Sequence, residues 1–279
     1  MSALQLRGRI LRARTRDAFA LEYSMYCPTS AGADAPLLVA VHGYSRNAME
    51  QAERFAPLCE SAGIVLVAPH FDASAFPDYQ RLGRRGERAD FALDALIAEL
   101  RASLGCLLGR VSLFGFSGGG QFAHRYLMAH PKRVTSAVVA APGWFTFPER
   151  EHAFPYGTRG ARKPLGVRMR ADAFLRVPVL VAVGEHDDDA QSEHLRHSRA
   201  LDTQQGTNRL ERATRWVRAM QDAAAAIGFP PRVQLALVPN AGHSFAECMD
   251  NGLGELVLEH VVGAPAASPA VRKRLIALP

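Results

Sequence analysis

The sequence has no long apolar run, and that absence sets the first limits. No stretch approaches the roughly 20 consecutive apolar residues a membrane-spanning helix requires, so no membrane partner is expected. The first residues, Met-Ser-Ala-Leu-Gln-Leu-Arg-Gly-Arg, alternate apolar and charged side chains. A secretory signal would follow its basic start with an unbroken apolar core, so a cytoplasmic location is expected. Cysteine is scarce: Cys27, Cys59, Cys106 and Cys248 stand singly, without a C-x-x-C pair. That excludes a disulfide-stapled scaffold. Cys59 and Cys106, in or at the ends of predicted helices, read as small apolar fillers. Neither G-x-G-x-x-G nor a P-loop follows a strand. Glu185, His186 and the aspartates after them are adjacent rather than spaced along one helical face, as metal ligands on a helix would be. No cofactor and no metal are expected.

What remains is an ordinary globular composition, 48% hydrophobic and 22% charged over 279 residues. That length supports a sizeable core, and residues 1–279 read as one domain. The net charge is +6, which raises the question of nucleic acid, but the charge is concentrated. Arg150, Arg159, Arg162, Lys163, Arg168, Arg170 and Arg176 face only Glu149, Glu151 and Asp172 between positions 144 and 176. No nucleic-acid-binding module accompanies them, so no nucleic-acid partner is expected. A solvated loop is the plain reading, and a lid favouring anionic substrates is the functional one.

Leu4 to Leu11 and Phe19 to Tyr26 predict an antiparallel hairpin across Arg14-Thr15-Arg16-Asp17. Strand and helix then alternate. Apolar runs at Leu37 to His42, Ile64 to Pro69, Val111 to Phe116, Val134 to Ala141, Val177 to Val183 and Val233 to Val238 predict strands. Helical patterns fall at 48–62, 86–104, 119–130, about 208–226 and about 246–262. Strands apolar on both faces and separated by helices belong to a parallel sheet. One connection is long, about 143–176, and is expected to form a lid-like insertion beyond a strand's carboxyl end.

The most informative stretch is Leu113-Phe-Gly-Phe-Ser-Gly-Gly-Gly120, a strand that breaks at a serine flanked by glycines and then turns into a helix. A serine on so sharp a turn needs an unusual backbone conformation, which the glycines relieve, and its hydroxyl then projects clear of both elements. A serine hydroxyl is a weak nucleophile until a histidine takes its proton and a carboxylate orients the histidine. The strand Val179 to Val183 ends in Gly184-Glu-His-Asp187, and Val233 to Val238 ends in Pro239-Asn-Ala-Gly-His243. Asp187 is therefore the acid and His243 the base, with Asp188 and Asp189 as alternates for the acid.

The order Ser, Asp, His along the chain, with His42-Gly-Tyr-Ser-Arg46, Ala68-Pro-His-Phe71, Gly115-Phe-Ser-Gly-Gly119 and Gly242-His243, resembles the α/β-hydrolases over residues 37–262. Bacterial esterases similar to dienelactone hydrolases, carboxylesterases and the polyhydroxyalkanoate-depolymerase-like group are nearest in pattern. The resemblance implies an α/β-hydrolase fold: a mostly parallel central sheet with helices on both faces, here with an N-terminal antiparallel hairpin. It further implies that the backbone N–H groups of Tyr44 and Gly118 form an oxyanion hole, and that His42 supports that turn rather than acting as a base.

Phe71, Phe76, Tyr79, Trp144 and Phe145 follow strand ends on the same side and are candidates to line a substrate pocket. Aromatics in long loops also pin those loops to the core. The reading that follows is a serine hydrolase cleaving small carboxylic esters through an acyl-enzyme, its partner a small-molecule ester. A peptidase or thioester hydrolase would use the same three residues, and an inactive binding protein would keep only the scaffold. Homo-oligomerisation stays open.

Overall fold

A computed structural model describes residues 7–83, 85–104, 110–263 and 274–276. Cys106 and the start of the expected first strand lie outside the described residues. Among the described residues, nine strands form one sheet in the order β1-β2-β4-β3-β5-β6-β7-β8-β9. They are β1 (Ile10–Arg14), β2 (Glu22–Tyr26), β3 (Leu37–Val41), β4 (Val65–His70), β5 (Val111–Phe116), β6 (Val134–Ala140), β7 (Val179–Gly184), β8 (Val233–Val238) and β9 (Leu275–Ile276). Strands β3 to β8 are parallel, and β1, β2 and β9 add antiparallel edges.

The side-chain period of two along each strand builds two cores. Val39, Val41, Val65, Val67, Leu113, Val139, Val181 and Val183 face one layer. There they meet α2 (Ala89–Leu104), α3 (Gly118–Ala129) and α7 (Arg209–Ala226). The intervening Leu38, Ala40, Leu66, Ala68, Phe114, Val138 and Ala182 face α1 (Ala48–Ala62), α8 (Phe245–Asp250) and α9 (Leu253–Val262) on the other side. Burying each large apolar side chain contributes about 1.5–3 kcal/mol, and both faces of the central strands do so.

The hairpin turn lies later than expected. Its first strand runs on through Arg14 because Thr15 is buried, donates its N–H to Leu21 O and accepts the Leu21 N–H at its hydroxyl. Asp17 Oδ1 then accepts the N–H groups of Phe19 and Ala20 to close the turn. The single expected helix at 246–262 is divided at Asn251-Gly252, where Gly252 has φ 90°. A short helix α6 (Arg199–Gln205) and β9 were not expected from the pattern.

The 143–176 segment contains two one-turn helices, α4 (Arg162–Leu165) and α5 (Ala171–Phe174). Phe145, Phe147, Ala161, Leu165, Phe174 and Leu175 are buried in the layer that holds α3 and α7. Arg88 Nη1 donates to Leu165 O at 2.6 Å, and α5 packs against α3, α7 and the single turn Pro131–Arg133 that precedes β6. This part of the segment is thus the crossover between the parallel neighbours β6 and β7. Its first part folds back on itself beside α6: Phe147 N–H donates to Tyr156 O at 2.8 Å, and the Gln204 side chain reaches Glu149 Oε1 and Tyr156 O at 3.3 Å. Arg170 and Arg176 flank α5, which packs beside the turn Pro131–Arg133 at the amino end of β6.

Candidate active site

The chain leaves β3 for β4 on one side and returns to β5 on the other. A crevice opens where the strand order reverses in this way, between the carboxyl ends of β3 and β5. Those ends carry His42-Gly43-Tyr44 and Ser117. Ser117 itself has φ 53° and ψ −111°, a strained conformation for a residue with a Cβ. The neighbouring glycines make it attainable: a Cβ on Gly115 would lie 2.1 Å from Gly119 O, and one on Gly119 would lie 2.1 Å from Val41 O.

The strands that follow deliver the partners. Glu185 N–H donates to Val238 O at 2.9 Å and His186 N–H to Ala241 O at 2.9 Å, which joins the loop after β7 to the loop after β8. Gly184 is required at that junction, where an added Cβ would meet Ala241 O at 2.3 Å. Ser244 caps α8 by accepting Glu247 N–H at 3.3 Å, while Glu247 Oε2 reaches back to Gly242 N–H at 3.3 Å. These two bonds from the first turn of α8 fix the backbone on both sides of His243.

The result is a continuous chain of hydrogen bonds. His243 Nε2 is 3.1 Å from Ser117 Oγ, and His243 Nδ1 is 2.8 Å from Asp187 Oδ2. Asp187 is buried, whereas Asp188 and Asp189 are exposed. The imidazole stacks on Phe116 with centroids 5.3 Å apart. Nδ1 donating to the carboxylate leaves Nε2 free to accept the serine proton, the arrangement a general base needs.

On the opposite side of Ser117, a Cβ on Gly118 would lie 3.4 Å from Tyr44 N, so the two backbone nitrogens share one small space. Neither N–H has a hydrogen-bond partner among the described residues. Gly118 is also the first residue of α3, and a helix start adds positive potential. Behind Tyr44, His42 is neutral. Burial pushes its pKa down to about 3, its Nδ1 donates to Gly43 O at 2.8 Å, and its Nε2 accepts Phe71 N–H at 3.0 Å. The structure therefore places His42 as a support of the turn.

The expected pocket aromatics are corrected by the packing. Phe71, Phe76, Tyr79 and Phe145 are fully buried, and Trp144 nearly so. Phe71 packs on Phe76, Tyr79 and Phe122, Phe145 stacks on Trp216, and Trp144 lies beneath the Arg125 guanidinium at 4.1 Å. They hold the loops to the core instead of lining a pocket. Tyr79 has a second task, donating from its hydroxyl to His42 O at 3.0 Å or Gly43 O at 2.9 Å. At the mouth stands Tyr44, 66% exposed, its ring 6.0 Å from that of His194.

Arg125, Arg209 and Arg212 are buried arginines that the sequence pattern did not single out. Arg209 Nη1 lies 3.2 Å from Asp187 Oδ1 and 2.9 Å from Ser192 Oγ. Arg212 donates to Gly143 O, Gly206 O, Arg196 O and Asp202 Oδ1, joining the loop after β6 to α6. A signal existed: a cation in the first turn after the cap Asn208 opposes the helix dipole, so it needs an acceptor elsewhere.

Cavities of about 580 and 690 Å³ lie between the hairpin and α1 and within the insertion. Neither is lined by Ser117, Asp187 or His243. Glu149, Glu151 and His152 form a group with ligand-compatible spacing among the described residues. The Glu149 carboxylate already accepts from the His152 ring and from the backbone of Glu151 and His152, so it carries no metal argument. No helix among the described residues is long and apolar enough to cross a membrane.

A parallel sheet, a serine elbow after β5 and acid and histidine loops after β7 and β8 together match known structures. A poly(aspartic acid) hydrolase from Sphingomonas sp. KT-1 superposes with TM-score 0.79 at 22% identity, covering 90% of this chain and 99% of its own. A poly(3-hydroxybutyrate) depolymerase from Bordetella parapertussis gives TM-score 0.77 at 26% identity, covering 97% and 96%. The fold is the α/β-hydrolase fold. An S-formylglutathione hydrolase from Agrobacterium tumefaciens shares this α/β-hydrolase architecture more distantly, at TM-score 0.55 and 19% identity over 90% and 94% of the two chains. No protein-family model matches the sequence, and no curated protein matches it either. The neighbours of this α/β-hydrolase chain are hydrolases and esterases, which supports hydrolysis as the general class of its chemistry.

Proposed function

We propose that the protein is a serine hydrolase that cleaves small carboxylic esters through an acyl-enzyme. One observation carries this reading: the unbroken chain Ser117 Oγ, His243 Nε2, His243 Nδ1, Asp187 Oδ2, with separations of 3.1 and 2.8 Å. In the first half-reaction Ser117 Oγ attacks the ester carbonyl as its proton passes to His243 Nε2. The carbonyl oxygen becomes an oxyanion against the N–H groups of Tyr44 and Gly118, and preorganised donors of this kind contribute several kcal/mol to the transition state. Asp187 keeps Nδ1 protonated and stabilises the imidazolium. His243 then gives the proton to the leaving alkoxide, which departs as the alcohol. In the second half-reaction His243 removes a proton from water as water attacks the acyl carbonyl, and His243 then returns that proton to Ser117 Oγ as the C–O bond to serine breaks and the carboxylic acid leaves.

A thioester or an amide would pass through the same steps with a thiol or an amine as the leaving group. The neighbours include a protein named for S-formylglutathione and one named for poly(aspartic acid), which is the reason to test those bonds beside esters. The deciding experiment compares Ser117→Ala with the parent protein on short p-nitrophenyl esters and in fluorophosphonate labelling. Loss of turnover and of labelling with unchanged melting temperature is expected. A Ser117→Ala protein that turns over at the parental rate overturns the proposal.

A further inference from the structure

We infer that Arg209 is a positioning residue for the candidate triad, an internal counter-charge that holds the Asp187 carboxylate and sets the pH range over which His243 acts as a base. The inference rests on the serine-hydrolase reading and adds a fourth side chain to it. Asp187 and Arg209 have side chains that are each only 2% exposed. A buried carboxylate without a charged partner is costly, and a neutral imidazole supplies no charge. Arg209 supplies it from the far side: Nη1 lies 3.2 Å from Oδ1 while His243 Nδ1 takes Oδ2. The carboxylate is clamped at both oxygens, and its rotation is blocked.

The placement of the guanidinium is itself fixed. Arg209 is the first residue of α7, capped by Asn208, whose side chain accepts Glu211 N–H at 2.8 Å. Leu210 N–H points at Asp187 O at 3.4 Å, so the start of α7 is tied to the acid's backbone as well as to its side chain. Nη1 has Ser192 Oγ as its second acceptor at 2.9 Å, and Nε is buried with no hydrogen-bond partner. Burial pushes the arginine pKa down, and Asp187 and Asp189 draw it back up. The other charged groups around the pair are Arg212 on α7, Asp189 in the loop after β7, and Glu247 on α8, which with Asp187 raises the pKa of Cys248 beyond the effect of burial.

The chemical consequence follows from charge. A carboxylate paired with a guanidinium presents the imidazole with an ion pair rather than a bare negative charge. The pair therefore attracts a positive charge on the imidazole less than a bare carboxylate would. Removing the guanidinium restores the full carboxylate charge beside the ring, and the acid limb of the rate profile moves upward.

The test is the pH dependence of kcat/KM for p-nitrophenyl acetate in the parent, Arg209→Met and Arg209→Lys, with Ser117→Ala alongside. Arg209→Met is expected to move the acid limb up by about one pH unit and to lower the plateau at least tenfold. Arg209→Lys, which keeps the charge but not the fork, is expected to leave the limb in place while lowering kcat. A folded Arg209→Met protein whose limb does not move overturns the inference, because a purely structural role lowers the rate equally at every pH. If Arg209→Met does not fold, Arg209→Lys decides: a limb displaced upward by a unit with the charge retained overturns it. An active Ser117→Ala protein would overturn the hydrolase reading itself, whereas an inactive one with an unmoved Arg209→Met limb overturns only the role of Arg209.

Discussion

The α-carbon of Gly119 backs directly onto the carbonyl of Val41, so close that a Cβ at 119 would lie 2.1 Å from that oxygen and 2.6 Å from His42 O. Both obstacles are backbone, and neither can swing away. The first turn of α3, which follows Ser117, and the end of β3, which leads to the Tyr44 N–H, approach to this distance only because position 119 has no side chain. Gly119→Ala must push the start of α3 away from β3. The expected cost is about 3 kcal/mol, at the upper end for an overpacked core, read as a fall in melting temperature. Fluorophosphonate labelling of the protein that remains folded is expected to slow by more than tenfold, because the two N–H groups no longer converge. Labelling at the parental rate would show that the contact between α3 and β3 does not set the site.

Ser117, Asp187 and His243 were legible because each follows an apolar run that reads as a strand, and a parallel sheet gathers the carboxyl ends of its strands on one side. What a one-dimensional pattern does not contain is the direction in which a loop side chain turns. Phe71 and Phe145 are as apolar as a pocket lining would be. Their burial against Phe122 and Trp216 depends on helices distant in sequence. Arg209 was hidden for the same reason: its partner Asp187 lies across a loop and a helix. The division of the last helix had a local cause in Gly252, yet a glycine in an otherwise helical run is tolerated often enough that it did not force a break.

Tyr79 offers a test of the corrected role for the aromatics. Its hydroxyl touches both carbonyls of the His42-Gly43 turn, and its ring is wholly buried. Tyr79→Phe keeps the packing and removes only the hydrogen bond. Stability is expected to fall by about 1 kcal/mol. kcat is expected to fall about tenfold with KM little changed, since a loosened turn misplaces the Tyr44 N–H mainly in the transition state. A pocket role predicts the opposite split, a higher KM at unchanged kcat, and steady-state kinetics separates the two.

Asp90 governs stability away from the site. It is fully buried, accepts from Arg88 Nε at 2.9 Å and Nη2 at 2.7 Å, and lies 2.8 Å from His130 Nε2. Burial pushes its carboxyl pKa up, and the hydrogen bonds from His130 and Arg88 more than reverse this, leaving it below the ordinary value. Arg88 in turn holds Leu165 of the insertion. Asp90→Ala strands both partners and is expected to cost about 3 kcal/mol in urea unfolding, with kcat unchanged. Because the folded-state value is depressed, the contribution is whole above about pH 4 and is lost as the pH falls further. The stability difference between parent and variant should therefore narrow below about pH 4, and a difference that is constant through that range would refute the ionic origin.

The steepest pH dependence of stability is expected at milder acidity, from His42 and His124. Each ring is wholly buried. Each spans a carbonyl and an amide: Gly43 O and Phe71 N for His42, Gly120 O and Thr146 N for His124. Protonation would aim a second N–H at an amide N–H that already points at the ring, so the native state accepts only the neutral form. For both, burial is the main cause that lowers the pKa, to about 3 for His42 and well below the ordinary value for His124. The unfolded chain binds a proton near pH 6.5 and the folded chain does not, so stability is full above that value and declines as pH falls toward 3. By pH 5 the loss from His42 alone is about 2 kcal/mol. Urea midpoints measured from pH 7.5 to 4.5 should fall progressively, and His42→Asn should reduce the slope by about one proton. A slope that His42→Asn leaves intact would assign the acid sensitivity to other groups. Because the His42 ring braces the turn whose Gly43 lies against Ser117, activity is expected to fail at a higher pH than global unfolding.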